Sequence, residues 1–215
     1  MNRKQFLSTL LATLLGAGTG LMSSAVNAQA SASTYTTLEK RVSTEAPAGK
    51  IEVVEFFWFG CPHCYSLEPV IEPWIKKLPD DVVFRREHVP FFGQQHQQLF
   101  YTLQALGRTD DATLNTVFEA IQRQRKQMKN VDEMVEVLSA AGIDGDKFRS
   151  TFNSFGVRTA MQRSNRLVSA YGLDGVPVLA INGQHLTSPS MAGSNQQALT
   201  VANDLIQRER KALAK

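Results

Sequence analysis

The chain has 215 residues, 43% hydrophobic and 20% charged, which is the balance of one or two ordinary globular modules and not of a disordered chain. Its formal charge is +3, from 23 Lys and Arg against 20 Asp and Glu, and setting aside Arg3 and Lys4 leaves +1. That balance does not argue for nucleic acid, and no basic patch with interleaved aromatics is present.

Residues 1–30 read as a targeting segment. Arg3 and Lys4 make a short positive start, Phe6 to Leu15 an apolar core, and Val26-Asn27-Ala28 and Ala28-Gln29-Ala30 offer cleavage after Ala28 or Ala30. The core is shorter than the ~20 apolar residues a membrane span needs. Export carries a chemical consequence, because disulfides persist outside the cytoplasm. A short strand is expected at Tyr35–Leu38, then a turn through Pro47 and Gly49. Residues 51–58, Ile-Glu-Val-Val-Glu-Phe-Phe-Trp, form a near-continuous apolar run, as in a strand covered on both faces. Alternation puts Glu55 with Ile51, Val53 and Phe57, where a carboxylate is desolvated and its charge disfavoured.

The run stops at Gly60, and Cys61-Pro62-His63-Cys64 follows, holding both cysteines of the chain. Any cysteine chemistry therefore happens here. Pro62 suits the first position of a helix, since its missing N–H needs no partner there. Cys61 then sits where unpaired N–H groups and the positive end of the helix dipole favour an anion. A thiolate is stabilised at such a place, and His63 adds a further donor and a possible charge. Cys64, one turn in, is expected to be less exposed. This makes Cys61 the attacking sulfur and Cys64 the resolving one. Three plainer readings compete. A structural disulfide closing so small a loop hardly constrains the unfolded chain. A metal site lacks further ligands, since no second Cys or His cluster has ligand spacing. His63 alone could be a bystander at a helix start.

Phe59-Gly60-Cys61-Pro62-His63-Cys64-Tyr65 resembles the active site of the DsbA family, thioredoxin-fold oxidases of the bacterial periplasm. Tyr35 to Lys40 resembles the family's first strand, Gly175-Val176-Pro177 with Asn182-Gly183 its second active-site loop, and Asn153-Ser154-Phe155 a run at the same place. The likeness covers nearly all of the chain after residue 34. It implies that Glu55 matches a buried acid that helps move protons at the second cysteine. It also implies that the Val176–Pro177 bond is cis and faces the cysteines, leaving the Val176 backbone to pair with an extended substrate by strand addition.

Beyond Cys64, Pro69 and Pro73 would by local rules end the helix at Glu68. Thioredoxin-like proteins carry a kinking proline where Pro69 stands, and Pro73 is an additional departure. Residues 82–89 read as the next strand, with Val82, Phe84, Arg86 and His88 on one face. The family usually has lysine at Arg86. An arginine near Glu55 would favour its carboxylate, and a surface arginine is the alternative. After a loop from Pro90 to Gln98, helical spacing recurs in Leu99/Leu103/Leu106, Leu114/Val117/Phe118/Ile121, Val131/Met134/Val135/Leu138 and Phe148/Phe152/Phe155. Gly107, Asn130, Gly142 and Gly156 punctuate it, and Asp144 opens a helix. Arg123, Arg125, Lys126 and Lys129 read as a solvated helix face. A long helix follows over 158–171, a hairpin turn at Asn182-Gly183, a short strand near His185–Thr187, a last helix over 194–210 and a frayed tail from Lys211.

These elements predict an α/β fold with a mixed sheet: a discontinuous thioredoxin-like domain over 31–95 and 158–215, interrupted by a helical domain over 96–157. The expected activity is donation of the Cys61–Cys64 disulfide to reduced exported polypeptides in the periplasm, with no cofactor and no metal. The resemblance implies reoxidation by a quinone-linked membrane protein, DsbB, and a monomer is the default. Two alternatives stay open. One is an isomerase or reductase of the same fold, although isomerases usually add a dimerisation domain for which residues 31–50 leave no room. The other is a non-enzymatic binding module with a structural disulfide.

Overall fold

The structure, a computed structural model, describes residues 33–91 and 93–214, so the targeting segment expected at 1–30 lies outside the described residues. One sheet contains β1 (Thr36–Thr37), β2 (Ile51–Phe57), β3 (Val82–His88), β4 (Val178–Ile181) and β5 (His185–Thr187), in the order β1-β5-β4-β2-β3. β2 and β3 run parallel, and the crossover between them is α1 (Pro62–Ile75). The other pairings are antiparallel. Between β3 and β4 lie α2 (Gln94–Ala105), α3 (Asp111–Gln122), α4 (Val131–Ser139), α5 (Gly145–Phe152) and α6 (Phe155–Tyr171); α7 (Pro189–Ala192) and α8 (Asn195–Leu213) follow β5.

Every residue of β2 is buried, because helices cover both faces of the sheet. Ile51 and Val53 pack on Leu67 and Ile71 of α1 and on Leu199 and Leu205 of α8. Val54 and Phe56 meet Val168 and Tyr171 of α6 on the other face. Phe57, the last residue of β2, and Phe59 just beyond it enter a third core with Leu103, Phe118 and Phe148, in which Cys61 and Cys64 also lie. The helices between β3 and α6 are therefore tied to the motif by shared burial, at ~1.5–3 kcal/mol per large apolar side chain. Asp110, Asn130, Asp144, Ser154 and Ser194 each cap a helix by accepting the amide N–H three residues on. The opening expected at Asp144 is among them.

Several local expectations are corrected. α1 does not end at Glu68 but runs through Pro69 and Pro73. Both prolines sit on its exposed side, away from the buried Cys64, Leu67, Glu68 and Ile71. The loop after Pro90 ends at Gly93, not Gln98, because α2 starts at Gln94. The basic run from Arg123 to Lys129 is the connection between α3 and α4 and not a helix face, with Arg125 and Met128 at positive φ. Phe155 opens α6 and is 77% exposed, so it does not continue the Phe148/Phe152 stripe, and Gly156 lies inside that helix. The tail is helical to Leu213, where Arg210 is held by Asp81 at 2.6 Å. α7 was not expected at all; Pro189 at its start and Gly193 after it are its signals.

The three-residue connection between β4 and β5 turns on Asn182 (φ 49°) and Gly183 (φ 72°), both at positive φ, and Gln184 N–H closes the turn on Ile181 O at 3.1 Å. A Cβ on Gly183 would lie 2.0 Å from the Val42 carbonyl oxygen. Gly183→Ala is expected to cost at least ~2 kcal/mol, from the left-handed backbone and the displaced strand connection together. A urea-unfolding midpoint indistinguishable from wild type would contradict this.

Candidate active site

Cys61 is the N-cap of α1 and Pro62 its first residue, so the end of β2 delivers the sulfur to the unpaired amides of the first turn. Cys64 N–H points at Cys61 Sγ, 3.4 Å away. Cys61 is 7% exposed and Cys64 fully buried, and both are free thiols. The Cys61 pKa falls from the ordinary 9.0 to about 6. The hydrogen bond from the Cys64 side chain is the largest cause; burial opposes it, the backbone N–H groups of Cys64 and His63 add to it, and the His63 charge contributes least. Burial, reinforced by the Cys61 sulfur, pushes Cys64 far up. Two thiols three residues apart are thus driven in opposite directions, one toward thiolate and one toward thiol.

The weight given to His63 from the sequence changes accordingly. Its side chain is exposed, and its backbone N–H counts for more than its charge. His63→Ser keeps that N–H, so it is expected to raise the Cys61 pKa by less than Cys64→Ala, which removes the leading donor. Titration of the thiolate absorbance in both variants checks the order, and a larger shift in His63→Ser would reverse it.

Opposite the motif, Val176 O lies 3.5 Å from Cys61 Sγ, and the Val176–Pro177 bond is cis. Val176 and Pro177 also line a groove of about 840 Å³ with Leu38, His63, Leu173 and Met191. Under the helix, Glu55 is fully buried and stands directly across the sheet from Arg86. Arg86 Nε donates to Glu55 at 2.7 Å and its Nη2 to Glu68 at 2.9 Å, so it is not a surface residue. The charge of Glu55 reaches Cys64 and raises its pKa further. Burial, with the Glu55 charge, pushes Glu68 up to about 8 against the pull of Arg86. One carboxylate oxygen on each of Glu55 and Glu68 has no partner within the protein.

Glu68 went unmarked in the sequence, although its spacing from Cys64, and that of Ile71 from Leu67, trace the buried stripe of α1 and would have shown it. His88 was placed on a strand face without a role at the site, and His96 and Gln122 were not singled out. Trp58 Nε1 donates to His96 Nδ1 at 3.1 Å, and Gln122 holds the Phe59 carbonyl at 2.7 Å. The indole leaves no room at Gly60, where a Cβ would come within 2.2 Å of it. Among the described residues no group of three His, Cys, Asp or Glu is placed to hold a metal ion.

A model of the DSBA-like thioredoxin domain matches residues 52–205. The chain belongs to the DsbA family. The thiol:disulfide interchange protein DsbA of Pseudomonas aeruginosa is 41% identical over 201 residues, covering 90% of this chain and 95% of that protein. The DsbA of Azotobacter vinelandii is 43% identical over 180 residues, 83% of each chain. The crystal structure of Pseudomonas aeruginosa DsbA matches with a TM-score of 0.82 at 42% identity, over 85% of this chain and 95% of that one. The fold is the thioredoxin fold with a helical insertion, and the chain is a thiol:disulfide oxidoreductase. DsbA proteins are themselves a standard example of a thiol pKa lowered at a helix start.

Proposed function

We propose that this DsbA-family chain donates its Cys61–Cys64 disulfide to reduced polypeptides exported to the periplasm. The observation that carries this is the split between the two thiols. Whatever favours Cys61 as an anion favours the reduced pair, which makes the disulfide a strong oxidant.

In the oxidised chain a substrate thiolate attacks Cys61 Sγ. The S–S electron pair passes to Cys64, which leaves and takes up a proton, and a mixed disulfide joins substrate to Cys61. A second substrate thiolate then attacks the substrate sulfur of that bond, and Cys61 departs as a thiolate. The substrate loses two electrons and the chain gains them. Cys61 leaves readily because its anion is stable near neutral pH. The proton for Cys64 comes from the buried Glu55–Glu68 pair, since Glu68 keeps its proton at neutral pH. The groove beside Val176 and Pro177 receives the extended substrate segment, which pairs with the Val176 backbone. The dithiol pair is itself the electron carrier, so the reading calls for no cofactor, and the chain acts as a monomer.

A quinone-linked membrane protein of the DsbB kind reoxidises the pair, and residues 1–30 direct export and are removed. No helix among the described residues is long and apolar enough to cross a membrane. Equilibration with glutathione tests the direction of transfer. An oxidase's pair is reduced by glutathione poises that leave a structural disulfide, below about −300 mV, intact. A potential in that low range would favour a reductase or an inert bridge instead.

A further inference from the structure

Cys61 N–H donates to Trp58 O at 2.9 Å, closing a β-turn whose central residues are Phe59 and Gly60. This turn is the joint between β2 and α1, and it decides where Cys61 begins the helix. Neither hydrogen-bonding group of Phe59 is satisfied by backbone within it. Phe59 N–H donates to His88 Nε2 at 3.3 Å, and Phe59 O accepts from Gln122 Nε2 at 2.7 Å. The two side chains come from the last residue of β3 and the last residue of α3.

Each is built to act at one atom. His88 is fully buried among Phe57, Phe59 and Phe100, and its Nδ1 lies 3.0 Å from Val89 O. An imidazole kept neutral by that burial, with its proton on Nδ1, presents a bare Nε2 that can only accept. Its own carbonyl is held by Gln97 at 2.9 Å and Ser164 at 3.1 Å, so the ring has a fixed base. Gln122 reaches the site from the helical insertion, and Phe118, one turn earlier on α3, packs on Phe59 at 5.0 Å between ring centroids.

We propose that His88 and Gln122 are positioning residues for Cys61: they clamp Phe59 in the turn and so hold the sulfur over the amides of the first turn of α1. The inserted helices then act on the chemistry as well as on folding, because one end of the clamp belongs to them. The inference rests on Cys61 being the reacting thiolate, as proposed above.

Gln122→Met is the test, since it keeps the length of the side chain and removes the donor. Gln98→Met is the control: it deletes a similar amide-to-carbonyl bond in the same helical region, from Gln98 to Phe152 O at 2.7 Å, away from the cysteines. Thiolate absorbance against pH and the urea-unfolding midpoint are measured for wild type and both variants. The clamp predicts that both variants lose stability but only Gln122→Met raises the Cys61 midpoint, by about half a unit, or roughly threefold in the ionisation equilibrium. Equal losses of stability with an unmoved Cys61 midpoint in Gln122→Met would make the bond merely structural and overturn the proposal. A wild-type midpoint near the ordinary thiol value would defeat the functional reading, and this inference with it.

Discussion

Cys64→Ala will stall the chain as a covalent adduct. Without Cys64 there is no disulfide to donate, and in the reverse exchange, where the Cys61 thiolate attacks a substrate disulfide, the mixed disulfide forms but no second sulfur stands at 64 to resolve it. Nothing else in the sequence can take that part, since Cys61 and Cys64 are its two cysteines. Turnover in a disulfide-exchange assay should fall to the uncatalysed level, and a disulfide-linked species should accumulate on non-reducing gels. Cys61→Ser should abolish turnover without trapping anything, because Cys64 is fully buried and held as a thiol. Trapping by Cys61→Ser in place of Cys64→Ala would exchange the two roles.

Arg86→Met is the substitution expected to cost most stability. Its side chain is 8% exposed and bonds carboxylates that are themselves 0% and 3% exposed, Glu55 and Glu68. Removing the cation leaves two acids in an apolar layer, and stripping one partner from a buried pair costs ~3–5 kcal/mol. That is a large share of the 5–15 kcal/mol that holds a typical domain. The loss carries a pH signature. The folded Glu68 pKa, about 8, is raised above its ordinary 4.5, so its retained proton contributes stability below pH 4.5 that is lost as pH rises toward 8. Arg86 lowers that pKa, so without Arg86 the carboxyl holds its proton to still higher pH, and stability falls with pH over a wider window. The variant should therefore trail wild type by a near-constant margin from pH 4.5 to about 8, where folded Glu68 keeps its proton in both, and fall further behind above pH 8. A difference that does not grow above pH 8, measured by urea unfolding, would refute this account of the triad.

The central sheet was legible because its cues are local and agree. The apolar run of β2, the Asn182-Gly183 turn and the proline after Cys61 each specify one backbone shape, and no neighbour overrides them. Pro69 and Pro73 misled the local rule because it cannot see which side of a helix faces water. The basic run looked helical by composition, yet its path is fixed by tertiary contacts: Gln127 O accepts from His96, Met128 is buried, and Lys126 pairs with Glu136 at 2.7 Å. Cys61 and Cys64 announced themselves by spacing. Glu68, His88 and Gln122 did not, because each matters through a partner distant in sequence: Arg86 for the first, Phe59 for the other two. Single residues of common types carry no mark of such pairings.

The pH titration of thiolate absorbance in the reduced wild-type chain bears most directly on the account. It predicts one thiolate appearing with a midpoint near pH 6, absent from Cys61→Ser, and no second ionisation over the neutral range. A midpoint near 9.0, the ordinary thiol value, would contradict it.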